Sequence, residues 1–311
     1  MKLSMIAGPR PLMLALCAAL LGGCGNSNQL DLFPELEVGH AYRMEIVKAK
    51  VDVNGSERPE VATVTEAVLT LNAGGDPSEG TVVYGKTVLR GENANQMLGK
   101  DWSESVDVYR DITLQLKFTR EGTTELTNFE EVKATVIQRL MDYYKKSGQT
   151  MSQEQMASIQ TQMDSSYDTP DKLMSSYFPG VMLYFNPPVR QMPKNQEVNI
   201  NTQAPNPYGG TPFPMAGAFQ CTVNDSMGIV EGKETIPDHQ ATHIIRSTYA
   251  EMAAKNGSNL DTNNIPPYSL NHDYVMHYDL DAGHLVLLRQ TRNSNSGGMD
   301  QSNYTEVKLY Y

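Results

Sequence analysis

Apolar positions along this chain follow two rhythms, one of period two and one near 3.6. The first rhythm opens at residue 40. Residues 40–53 alternate, with Tyr42, Met44 and Ile46 on one face, and the turn Asn54-Gly55-Ser56 follows. Residues 61–71 (VATVTEAVLTL) and 81–89 (TVVYGKTVL) are rich in β-branched side chains, and residues 72–80 between them form a turn cluster. In residues 106–118, Ile112, Leu114, Leu116 and Phe118 share a face. Successive strands joined by short turns pair antiparallel. Residues 34–127 are therefore expected to form an N-terminal β half.

The rhythm then changes to a helical one. Thr127 and Glu130 have the spacing of a capping box. Val132, Val136, Ile137, Leu140, Met141 and Tyr144 recur at intervals that make one apolar stripe, ended by Ser147-Gly148. Ser152 is placed to cap a second helix that turns Met156, Ile159 and Met163 inward. Thr169-Pro170 opens a third, which Pro179 is expected to stop. Residues 128–178 thus read as a helical insert. Met141, Met151, Met156, Met163 and Met174 all fall in or beside it. Methionine adapts to irregular apolar partners, either a sheet or a ligand. Met141, Met156, Ile159 and Met163 are the candidates for lining an apolar ligand.

β character returns in residues 179–311. Strands are expected over 197–201, 218–223, 229–235, 241–252, 274–280, 285–291 and 304–310. Residues 241–252 include the helix-prone run AEMAAK, but Thr242, Ile244, Ile245, Thr248 and Tyr249 favour a strand. DITLQLKFTREGTTEL echoes VMHYDLDAGHLVLLRQT, and LFPELEVGHAYRMEI echoes YFNPPVRQMPKNQEVNI. The echo suits two related halves around the insert. The expected fold is β-rich α+β: two antiparallel β halves, as curved sheets or flat ones, with an insert of two to three helices.

The N-terminal segment stands apart from both rhythms. The apolar run Leu12 to Leu21 is shorter than the roughly 20 residues of a membrane-spanning helix. Lys2 and Arg10 precede it, and the first acidic residue is Asp31. A cationic start, a short apolar middle and small residues after it describe an export signal. Leu21-Gly22-Gly23-Cys24 resembles the lipobox of bacterial lipoproteins. The resemblance implies removal of residues 1–23 as a signal peptide and lipidation of Cys24. It also implies membrane attachment through a tether over residues 24–33. Gly25, rather than an aspartate, follows the cysteine, which by the same resemblance implies the outer membrane, on its periplasmic or outer face. The layout of lipobox, β half, helices and β half is also similar to β-rich bacterial lipoproteins, a likeness that carries no functional residues.

Charge narrows the partners. Of 25 basic residues Lys2 and Arg10 leave with the signal, so 23 face 36 acidic ones and the mature net charge is −13. That opposes binding to nucleic acid. Of three cysteines, Cys17 leaves with the signal and Cys24 carries lipid. Cys221 has no partner, so an apolar core must supply the stability.

Candidate chemistry is sparse. His239-Gln240-Ala241-Thr242-His243 resembles the spacing of H-E-x-x-H, but Gln240 cannot act as a base. On a strand the two imidazoles lie about 13 Å apart, too far for one metal. Asp279-x-Asp281-x-Gly283 has part of a calcium-loop pattern, with its glycine one place early and Gln290 where a bidentate glutamate belongs. A hairpin turn is the better reading. Cys221 lies in the apolar run FQCTV and reads as a core residue. No G-x-S-x-G elbow and no phosphate-cradling glycine loop occurs. The loop APNPYGGTPFPMAG, residues 204–217, is stiffened by four prolines and offers Tyr208 and Phe213 for binding. The chain therefore reads as a non-catalytic binding or scaffold module without cofactor or metal. Its expected partners are the membrane, through its anchor, and an envelope protein or an apolar ligand. A carrier of lipid or another apolar ligand beneath the helical insert is the alternative, and a hydrolase assembled from distant residues the third.

Overall fold

The computed structural model describes residues 28–51, 62–91, 106–146, 152–204, 206, 211–255, 257–258, 261–297 and 299–311. The lipobox with Cys24, the turn at Asn54-Gly55-Ser56, Ser147-Gly148, Met151 and Tyr208 lie outside the described residues. The first half comprises β1 (Gln29–Asp31), β2 (Ala41–Val51), β3 (Ala62–Ala73), β4 (Ser78–Arg90), β5 (Thr113–Phe118) and β6 (Thr124–Leu126). Helices α1 (Phe129–Lys146), α2 (Gln153–Ser166), α3 (Pro170–Tyr177) and α4 (Pro179–Phe185) follow. The second half comprises β7 (Gln191–Pro193), β8 (Glu197–Ala204), β9 (Phe213–Asn224), β10 (Met227–Thr235), helix α5 (Asp238–Lys255), β11 (Tyr268–Asp279), β12 (His284–Ser296) and β13 (Met299–Tyr310).

The two expected antiparallel halves are present, and they join edge to edge. One eleven-stranded sheet runs β6-β5-β4-β3-β2-β13-β12-β11-β10-β9-β8. At the seam β2 pairs with β13, Met44 opposite Leu309 and Ile46 opposite Val307. All four side chains are buried. The sheet is curled and not closed into a barrel. Ten strand spacings separate β6 from β8, about 48 Å if flat. Yet Asn186, just after α4, lies near both margins. Its Oδ1 accepts from Thr124 Oγ1 of β6 at 2.8 Å, and it shares a cavity wall with Thr202 of β8. The wall of strands therefore bends around α3 and α4.

Those two short helices fill the hollow. Phe178, Val181, Tyr184 and Phe185 are fully or almost fully buried. Phe178 packs edge-on to Tyr84, and the Phe185 ring lies tilted against Phe118 with centroids 4.5 Å apart. Tyr184 reaches the opposite wall and donates to the Leu285 carbonyl at 3.1 Å. Gly180 lets α4 approach the seam: a Cβ there would lie 2.6 Å from Ile46 Cγ2. A second, smaller core joins α5 to the far end of the sheet through Ala241, Ile245, Phe213, Tyr268 and Leu270. Among the described residues no helix is long and apolar enough to cross a membrane.

Several expectations need correction. Residues 241–252 are not a strand but most of α5. Ala241, Ile245 and Thr248 are buried at helical spacing, while Thr242 and Ile244 between them are only half-buried. The start of residues 106–118 is a 3₁₀ turn, Val106–Tyr109, before β5 begins. Pro179 does not end the helices: it is the first residue of α4, whose fixed φ suits that position. The insert therefore has four helices and continues to Phe185. Helix α1 starts one residue late, after Asn128, because Thr127 donates instead to the Gln115 carbonyl. Ser152 and Thr169 do cap α2 and α3. The end of the expected tether is core: β1 pairs with β7, and Leu30, Leu32 and Phe33 are buried, because three large apolar side chains within four residues cannot stay solvated cheaply.

Candidate functional site

Beside the filled hollow, a cavity of about 230 Å³ opens between α4 and the last strands. Leu183, Pro188, Ala204 and Met215 give it apolar walls. Thr202, Glu234, His272, Tyr274 and Gln290 give it a polar floor, with Asn186 and Gln203 at its side. Strand register assembles the floor. Glu234 of β10 lies directly opposite His272 of β11, and Tyr274 lies opposite Gln290 of β12. Gly217 of β9 is Glu234's other neighbour, and a Cβ there would press on Glu234 Cγ at 2.8 Å. The absent side chain is what lets the carboxylate lie across the strand.

The floor is a connected hydrogen-bond network. Thr202 Oγ1 donates to Glu234 Oε1 at 2.6 Å, and Tyr274 Oη donates to Glu234 Oε2 at 2.8 Å. Gln290 Nε2 donates to Tyr274 Oη at 2.8 Å. His272 Nδ1 lies 3.2 Å from Tyr274 Oη and 3.5 Å from Glu234 Oε2. Tyr274 has one hydroxyl proton and gives it to Glu234. The contact with His272 is therefore a hydrogen bond when Nδ1 carries the proton and donates. His272 Nε2 is left buried without a partner among the described residues.

The electrostatics follow from burial. Burial alone would raise the Glu234 carboxyl, but hydrogen bonds from His272, Thr202 and Tyr274 outweigh it and hold the group below the usual range. Burial, and then the charge of Glu234, push the Tyr274 hydroxyl far above its ordinary value. Both are thus in defined states at neutral pH, one an anion and the other a neutral donor. Arg292, opposite His272 in β12, acts on Tyr274 through its field but does not line the cavity.

Of the described candidate residues, Met141, Met156, Ile159, Met163 and Phe213 do not line this cavity, although the 204–217 loop contributes Ala204 and Met215 to its wall. Phe213 opens β9 and is fully buried, stacked on Tyr268 at 5.6 Å, so it serves the second core and not a contact loop. Met141 is buried on α1. Met156, Ile159 and Met163 are half-buried on α2, which has no fully buried residue. His239 and His243 lie one helical turn apart on α5, both exposed, so the strand separation assumed for them does not apply. Among the described residues no group of three or more His, Cys, Asp or Glu could hold a metal ion. Asp279 accepts from the Asp281 and Ala282 amides, and Gly283 has φ 74°, so this stretch is a hairpin turn. Cys221 is fully buried in the main core. Sequence reasoning missed Glu234, His272 and Tyr274. The one signal was the inward row of β11, Tyr268, Leu270, His272, Tyr274, Met276 and Tyr278, in which His272 is the polar exception.

No family model matches the chain, and no curated protein matches it. Among solved structures it is similar to lipovitellin, in a structure titled for lipid–protein interactions in that protein. The TM-score is 0.43 at 8% identity, over 89% of this chain and 25% of lipovitellin. The chain thus spans a quarter of that protein's length.

Proposed function

We propose that this chain is a lipid-anchored binding module of the cell envelope, held at the outer membrane through Cys24, which takes a small ligand in the cavity beside α4 without transforming it. The cavity with its polar floor carries the proposal. Four apolar residues make one wall and seven polar ones the floor and side, an arrangement that suits a ligand with a short apolar body and a polar group. An unpaired buried nitrogen such as His272 Nε2 costs about 1–3 kcal/mol unless something binds it.

A lipid carrier is the second reading. In its favour, α2 covers α1 without a fully buried residue, as a movable lid would. Against it, the hollow of the sheet is occupied by Phe178, Tyr184 and Phe185. The test is native mass spectrometry of the full chain, extracted from envelopes in mild detergent. The wild type is expected to carry a small bound mass that Met215→Trp, which fills the apolar wall, loses while still folding. A chain without bound mass, or mass retained in Met215→Trp, contradicts the reading. Fatty-acid labelling lost in Cys24→Ala checks the anchor.

A further inference from the structure

We propose that the cavity recognises a primary ammonium group carried on a short alkyl body; the inference rests on the binding function proposed above. Counting donors and acceptors leads there. A carboxylate can accept about four hydrogen bonds. Glu234 Oε1 takes one, from Thr202, and Oε2 takes one from Tyr274 with His272 Nδ1 at 3.5 Å. With its proton on Nδ1, the His272 imidazole presents Nε2 as a bare acceptor, and it has no donor among the described residues. The floor therefore has spare acceptors on a carboxylate and an imidazole that sit directly opposite each other.

Charge selects among possible donors. Glu234 is 3% exposed, and no Lys or Arg lines the cavity. The nearby Lys233 turns to the other face of the sheet and pairs with Asp273 at 3.9 Å. A buried anion without a full countercharge gains most from a ligand that brings one. An ammonium supplies that charge and three N–H donors, and charge-assisted hydrogen bonds are about twice as strong as neutral ones. An alcohol supplies one donor and no charge. A carboxylate ligand would meet Glu234 head-on. Leu183, Pro188, Ala204 and Met215 offer the alkyl part an apolar surface.

The experiment is calorimetry on the full chain in nonionic detergent with three probes of equal length, hexylamine, hexanol and hexanoate. Hexylamine is expected to bind at least tenfold more tightly than either other probe. Glu234→Gln should remove at least tenfold of that preference, and Met215→Trp should block all three. Should Glu234→Gln fail to fold, the order of the three probes on the wild type decides alone. Hexanol or hexanoate binding as tightly as hexylamine overturns the ammonium assignment and leaves the binding module standing. Hexanoate binding more tightly than hexylamine overturns it equally. No probe binding to a folded chain overturns the ammonium assignment; if native mass spectrometry also finds no Met215-dependent mass, the binding module falls with it. Dihexanoyl phosphatidylethanolamine separates two sources of the same chemistry. Competition with hexylamine assigns the ammonium to a lipid head group, and lack of competition assigns it to a free amine, both in support.

Discussion

Single residues show where polar chemistry has been placed inside this fold, and at what cost. Lys48 is the clearest case. It sits on the inner face beneath the helices, and its Nζ donates to the Tyr177 carbonyl at the end of α3, 3.3 Å away. Burial lowers it to about 8. The unfolded chain keeps this proton up to about pH 10.5, while the folded chain begins to release it near 8. Between those values the unfolded state binds more protons, so stability rises with pH. The full shift corresponds to a cost on the order of 3 kcal/mol at pH 7, an upper figure because the side chain is only part-buried. Lys48→Met is expected to raise the melting temperature at pH 7 and to flatten the rise between pH 8 and 9.5. Melts of both proteins across that range check it, and parallel curves would contradict it. The sequence hinted at this residue no more than at Glu234. Lys48 follows Val47 in a strand whose alternation is read from Tyr42, Met44 and Ile46, and the partner that buries it lies 129 positions away. His272 was legible as a polar residue in an apolar row. Its meeting with Glu234 was not, because the two strands pair across the intervening helix α5.

At the scale of elements, alternation was a sound guide wherever one face of a strand meets the core. β2, β3, β4 and β9 to β13 overlap the segments where strands were expected. It failed in residues 241–252, where β-branched side chains sit on a helix whose buried positions are small or central: Ala241, Ile245 and Thr248. Tertiary packing overrode strand propensity there. The insert divides sharply. Helices α3 and α4 are core, whereas α2, with Met156, Ile159 and Met163 only half-buried, is tied to α1 by an ion pair of Lys133 with Asp164 at 3.5 Å. Phe178→Ala should therefore cost about 3–5 kcal/mol. Met156→Glu should cost under about 1 kcal/mol, although the sequence alone read it as a core position. Denaturant titrations of the two variants measure both. A loss for Met156→Glu as large as that for Phe178→Ala would mean that α2 is core as well.

The whole molecule is built on one eleven-stranded sheet made from both halves, curled around its own connecting segment. That connection is what makes a site. Residues 183–190, leaving α4, bridge the open side between β6 and β8, and the cavity lies where this bridge stops short of the β8–β12 wall. Arg190 fixes the bridge by donating to the Thr119 and Phe185 carbonyls, so the cavity wall is held from the first half while its floor comes from the second. No local stretch of sequence could reveal such a place. The account's central claim is that ligand enters there and meets His272. Imidazole nitrogen NMR of the full chain, with His272 assigned by its loss in His272→Gln, tests this most directly. On titration with hexylamine the Nε2 resonance of His272 should move and saturate, while those of the exposed His239 and His243 stay in place. Saturable binding that leaves the His272 resonance unmoved, or that moves it equally in Met215→Trp, would contradict the account.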